Sequence, residues 1–208
     1  MVNLTNLFGE RVTTINIDLE LTVEGKLHIC LAQLPIPQGD AIDADASRPL
    51  AVKALTQLLV GGNGHAEPAL VEMVPGNEAI LIVLPEFALS SCDWTAVDCA
   101  IRSVSRPLIV VAGFGATSGG AVLDWADAET GQGDTSRRLA WNQAENGIGR
   151  TRRVNGGWCW VHVPGDTHCI TYLKNVPEQN VEAVQLPDMQ FGRTIEVARF
   201  VCTVIGKR

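Results

Sequence analysis

Residues 78–90 read EAILIVLPEFALS, so the carboxylate of Glu86 arrives directly after an apolar run and a proline. The carboxyl end of a strand buried on both faces is where open α/β sheets collect their ligands. A carboxylate held there, partly out of water, is shifted toward the neutral range and can work as a proton acceptor. The plainer alternative is that Pro85, Glu86 and Phe87 only turn the chain off the sheet, with Glu86 in solvent. Lys174 follows the run HCITYL (168–173) in the stretch YLKNVPEQNVE, and Glu182 closes that stretch. A lysine at a strand end is either solvated or a fixed positive charge for a developing anion.

Other residues carry reactive types in less productive patterns. Cys159, His162, His168 and Cys169 are metal-ligand types, but strand alternation sends Cys159 and His162 to opposite faces. No second cysteine or histidine pair supports them, so no metal site is expected. GFGATSGG (113–120) has the glycine content of a phosphate-cradling loop. Its third glycine falls one place late for a dinucleotide fingerprint, and no helix with a ribose-binding acid follows, so no cofactor is expected. Arg150, Arg152 and Arg153 form one basic cluster in a Gly/Asn-rich stretch and read as a solvated loop.

The elements that must position these groups follow from periodicity. Apolar residues alternate with polar ones from Ile15 to Val23, a strand with one wet face. LHICLAQL (27–34) is a mostly apolar strand stopped by Pro35 and Pro37. Residues 48–60 are helical, with Ser47 as N-cap, Pro49 in the first turn, and Ala51, Leu55, Leu58 and Leu59 on one face. A short helix near 66–74 precedes the strand 79–84. Ser91 opens a second helix through Trp94, Val97, Ile101 and Val104, closed by Pro107. LIVVAGF (108–114) is a further apolar strand, and residues 115–157 read as long loops with room for one short strand. WCWVHV (158–163) and HCITYL (168–173) form a hairpin around PGD (164–166), and TIEVARFVCTVI (194–205) is the last strand. Apolar strands separated by amphipathic helices indicate an α/β layer architecture, with a mixed sheet because of the hairpin.

Composition bounds the partners. The chain has 208 residues, of which 46% are hydrophobic, enough for one domain with a sizeable core. A net charge of −7 makes nucleic acid and anionic membrane poor partners. No apolar run is long enough to span a bilayer and no secretory signal opens the chain. The six cysteines are scattered, mostly in apolar segments, which suits reduced core thiols in a cytoplasmic protein.

Three segments in order are more specific than any one alone: LHICLAQLPI, LIVLPEFALSS (81–91) and ITYLKNVPEQNVE (170–182). Together with the strand LIVVAGF and with Asn155 ahead of the hairpin, they resemble the nitrilase superfamily of carbon–nitrogen hydrolases over about residues 26–202. Residues 1–25 then form an N-terminal extension with one amphipathic strand, and 26–208 a partial hydrolase-like domain. The resemblance implies a four-layer α-β-β-α sandwich with mixed sheets, usually dimerised. It implies a Glu–Lys–Cys triad acting on a small-molecule amide, nitrile or carbamoyl group. Glu86 matches the general base, Lys174 the lysine that stabilises the oxyanion, and Glu182 the second glutamate that orients substrate or assists the base.

The nucleophile departs from the pattern. In the family the cysteine ends a later strand and an Asp follows after one residue. The candidate here is Cys202 in ARFVCTVIGKR, where Thr203, Val204, Ile205 and Gly206 continue an apolar run. The resemblance therefore implies a C-terminally truncated member whose nucleophile lies beyond Arg208. Two other accounts are a divergent member that uses Cys202, and a catalytically inactive nitrilase-like interaction or sensing module that works with a partner chain. In the last account the amphipathic strand 15–23 suits edge pairing with that partner; the plainer alternative is an ordinary extra strand on the protein's own sheet. Labelling with an electrophilic amide or nitrile analogue separates the first two. If Cys202 is the nucleophile, Cys202→Ala loses the adduct seen by mass spectrometry; equal labelling of variant and wild type excludes Cys202.

Overall fold

The computed structural model of the chain describes residues 12–19, 26–33, 49–61, 69–75, 78–121, 150–151, 153–173, 189–190 and 195–202. The strands are β1 (Val12–Leu19), β2 (Leu27–Leu31), β3 (Ala79–Val83), β4 (Leu108–Ser118), β5 (Arg153–Val163), β6 (Asp166–Leu173), β7 (Met189–Gln190) and β8 (Ile195–Cys202). The α-helices are α1 (Pro49–Val60), α2 (Leu70–Met73) and α3 (Trp94–Arg102), the last entered through a 3-10 turn at Ser91–Asp93. The fold is α/β, with a six-stranded mixed sheet in the order β2-β3-β4-β5-β6 and β7 paired to β5. Strands β2, β3 and β4 run parallel, while β4–β5 and β5–β6 are antiparallel. The β5–β6 hairpin turns through Pro164 and Gly165, whose φ of 92° is a conformation glycine takes without a side-chain clash.

One face of the sheet holds the core. A row in register runs Cys30, Ile82, Val110, Trp160 and Cys169, and the next holds Ile80, Leu108 and His162. Against these rows pack Ala51, Leu55 and Leu59 of α1 and Trp94, Val97 and Ile101 of α3. The period of each helix explains the contact: residues spaced by three and four turn to one side, and that side is the apolar one. The helices are also tied by polar bonds. Trp160 Nε1 donates to Asp98 Oδ1 at 3.2 Å, and Arg102 Nε donates to Asp98 Oδ2 at 2.7 Å. Arg106 Nη1 donates to the carbonyls of Val71 and Val74, holding α2 beside the turn into β4.

The opposite face is apolar as well, but unevenly covered. On β2, Leu27, Ile29 and Leu31 are 50%, 62% and 76% exposed, so this edge strand is covered on one side only. Leu81, Val83, Ile109 and Val111 carry the same face inward and are half-buried, and Val161 on β5 is fully buried.

Several sequence expectations change. The amphipathic N-terminal strand pairs in parallel with β8 of its own chain, from Val12 opposite Ile195 to Leu19 opposite Cys202, so its ladder is formed within the molecule on that side. The stretch GFGATS is not a loop but the second half of β4, and β5 begins at Arg153 inside the segment read as loop. Glycines and polar residues hid both extensions, because pairing with a long neighbour outweighs weak strand propensity. Cys92 and Cys99 are exposed rather than core thiols, since they fall on the 3-10 turn and the solvent side of α3; Cys169 is buried. The proposed N-cap Ser47 lies outside the described residues. No helix among the described residues is long and apolar enough to cross a membrane.

Asp98→Ala removes the acceptor of a buried indole N–H and is expected to cost about 1–3 kcal/mol of unfolding free energy. Leu55→Ala leaves a cavity under α1 and is expected to cost about 2–5 kcal/mol. Urea denaturation of both variants checks these values.

Candidate functional site

The parallel strands β3 and β4 end at the same edge of the sheet, and Glu86 is built there by a short excursion of the chain. Leu84 N–H still donates to the Val111 carbonyl at 2.8 Å, and Leu89 N–H donates to the Gly113 carbonyl at 3.0 Å. Between these two ladder bonds the chain leaves the sheet through Pro85, Glu86, Phe87 and Ala88. Gly115 N–H then donates to the Leu89 carbonyl at 2.9 Å and closes the excursion. Phe87 sits at φ 61°, a left-handed conformation that bulky residues adopt at a cost of about 1–3 kcal/mol. Its ring is buried, which holds the backbone in that state.

Gly113 makes the excursion possible. A Cβ at this position would lie 2.6 Å from Glu86 Cα and 3.0 Å from the Pro85 carbonyl oxygen. The missing side chain is replaced by the Glu86 backbone itself. By alternation along β4, Gly113 belongs with Ile109 and Val111, so Glu86 rides over the sheet face that the helices do not cover.

Asn155 completes the arrangement from β5. Its side chain is buried, 1% exposed, while Glu86 is exposed. Asn155 Nδ2 donates to Glu86 Oε1 at 2.6 Å, across 69 positions of sequence. Alternation puts Asn155 on the same face as Gly157, Cys159 and Val161, hence on the side of Glu86. The strand β6 ends nearby, because Leu173, the residue before Lys174, pairs with Gly156, the residue after Asn155.

Behind the excursion the chain is clamped. Ser90 N–H and Ser90 Oγ both donate to Asp93 Oδ2, at 2.9 and 3.2 Å, with both residues buried. Ser91 Oγ and Thr117 Oγ1 are bonded at 3.1 Å, and Trp94 Nε1 donates to Cys169 Sγ at 3.5 Å. These contacts attach the start of α3 to β4 and β6, so the segment that carries Glu86 is anchored at both ends.

The structure thus brings Glu86 together with Asn155. Lys174 and Glu182 lie outside the described residues. Cys202 is the last residue of β8, its backbone opposite Leu19. The metal-type residues are otherwise engaged. His162 Nε2 donates to the Val104 carbonyl at 2.7 Å, and Nδ1 is hydrogen-bonded to the Thr167 hydroxyl at 2.7 Å. Burial pushes the Cys159 thiol from its ordinary 9.0 up to about 12. Among the described residues no three His, Cys, Asp or Glu side chains gather into a metal-binding group. Gly113 was legible only as part of a glycine-rich stretch, and Asn155 only as an asparagine ahead of a hairpin.

No family model matches this chain, and neither a curated protein nor a solved structure matches it.

Gly113→Ala drives a methyl group into the Glu86 backbone. It is expected to cost about 1–3 kcal/mol in urea denaturation and to displace the Glu86–Asn155 bond in a structure of the variant. The Cys159 thiol is expected to resist a thiol-specific disulfide reagent in the folded protein, while Cys92 and Cys99 react; site assignment by mass spectrometry checks this. Its raised pKa contributes stability that is fully present below pH 9.0 and is lost as the pH climbs to about 12.

Proposed function

We propose that this chain is a carbon–nitrogen hydrolase of the nitrilase type, with Glu86 as general base, Lys174 as oxyanion partner and Glu182 as the second glutamate. The observation that carries the reading is the Glu86 site: a carboxylate lifted off the carboxyl end of a parallel strand and gripped by a buried amide. The same sheet edge receives the end of β6, one residue short of Lys174. A lysine that follows this strand end in sequence suits the reading, because attack on an amide or nitrile carbon needs a base and a cation brought from separate elements. The four-layer α-β-β-α sandwich belongs to this proposal. It is supported by the face that no helix among the described residues covers, which is apolar from Leu27, Ile29 and Leu31 across to Val161 and so suits a second sheet. Glu86 and Asn155 open on that face, so the layer that covers it would also wall the site.

In this mechanism Glu86 takes the proton of a cysteine thiol as the sulfur attacks the carbon of a small-molecule amide or nitrile. For an amide, the carbonyl π electrons move to oxygen, and the Lys174 ammonium stabilises that charge. Collapse breaks the C–N bond, and the amine leaves with the proton held by Glu86. Water, deprotonated by Glu86, then attacks the thioester carbon; the C–S bond breaks, the departing sulfur takes the proton back from Glu86, and the acid is freed. Cys202 serves as the nucleophile, and the protein works in the cytoplasm as a homodimer or with a partner domain.

The test is ammonia release from propionamide, 3-cyanopyridine, L-glutamine and an N-carbamoyl amino acid. Wild type is expected to turn over at least one of these. Glu86→Gln and Lys174→Met are each expected to lower kcat by about 10²–10⁴-fold, the range for loss of a general base or an oxyanion donor. Turnover that survives Glu86→Gln would overturn the assignment of the base.

A further inference from the structure

We infer that Asn155 is a positioning residue for Glu86, one that fixes the rotation of its carboxylate; the functional half of this inference rests on the hydrolase reading. The Asn155 side chain is 1% exposed and rooted in β5, between neighbours in register on both sides, so its own position is set by the sheet. Glu86 is exposed and stands on an excursion outside the ladder. The bond from Asn155 Nδ2 to Glu86 Oε1, at 2.6 Å, transfers the rigidity of β5 to that carboxylate. A hydrogen bond to an ionised acceptor is roughly twice as strong as a neutral one.

The chemistry of the amide matters as much as its place. An amide N–H donates and does not release its proton at any pH the fold survives. Oε1 is therefore held by a donor whose proton is not released. An Asp at position 155 would do the reverse, setting carboxylate against carboxylate. Two further features serve the same end. Gly113 lets the Glu86 backbone lie within contact of β4, and the strained Phe87 aims the turn. The three devices act on backbone height, backbone direction and carboxylate rotation respectively.

A reciprocal swap tests the pairing without any assay of activity. Asn155→Asp alone is expected to lower the melting temperature by several degrees, through like-charge contact in a buried position. In the double variant Glu86→Gln/Asn155→Asp the amide and the carboxylate have exchanged places, and most of that loss is expected to return. A double variant that melts no higher than the two single effects predict overturns the pairing. The second readout is kinetic, with the four probes named above. Asn155→Ala is expected to lower kcat by about tenfold or more while KM stays within about twofold, because it disturbs geometry at the reacting centre rather than binding. The swapped variant is expected to regain melting temperature but not kcat, since its carboxylate sits at position 155. Wild-type turnover with kcat unchanged in Asn155→Ala overturns the positioning role alone. Swap rescue in a wild type that turns over none of the probes overturns the hydrolase reading, and leaves the pair a structural contact.

Discussion

The bond between the buried amide of Asn155 and the exposed carboxylate of Glu86 depends on nearly every other feature of the sheet. It joins two strands that are not neighbours: β3 supplies Glu86, β5 supplies Asn155, and β4 runs between them. For the two side chains to meet, the intervening strand must offer no side chain of its own at that point. Gly113 meets this condition, and the Glu86 backbone occupies the space. A site of this kind is limited by steric room before it is limited by charge. A single methyl group on β4 closes it, whatever residues stand at 86 and 155.

The surrounding structure holds a strained segment in place. Phe87 in the left-handed region costs free energy that an isolated turn would release by flipping. Here its ring is buried, Leu89 is bonded to Gly113 and Gly115, and the Ser90–Asp93 box begins the descent into α3. Trp94 against Cys169, and Asp98 against Trp160, then fix α3 to the far strands. The helix thus serves a purpose beyond filling the core. It anchors the downstream end of the excursion, as β3 anchors the upstream end.

The sheet has two unlike faces, and the difference bears on function. Helices cover one face, with the tryptophans of β5 at its centre. The other is apolar, but its exposure rises toward the edge strand β2, where Leu31 is 76% exposed. Glu86 opens toward this second face. The exposed carboxylate and the less covered apolar face therefore lie on the same side of the sheet.

The periodicity of short windows was enough to determine α1, α3, β3 and the apolar half of β4, and with them the α/β class. Ala51, Leu55 and Leu59 recur on one side of a helix whatever they pack against, and an apolar run such as AILIV makes a strand in most surroundings. The same local reading marked Glu86, because a carboxylate after PE-type punctuation is visible within a few residues. Tertiary structure alone decided the rest. The far half of β4 and the start of β5 are rich in glycine and polar residues, and they become strand only because each pairs with the other. Gly113 looks like any glycine until the chain from β3 is laid over it, and Asn155 looks like any loop asparagine until the register of β4 and β5 carries it to Glu86. The pairing of β1 with β8 likewise joins the two ends of the sequence. Local pattern records what one residue's neighbours in the chain require of it; register sums the lengths and bulges of every strand between two residues, and no short window contains that sum.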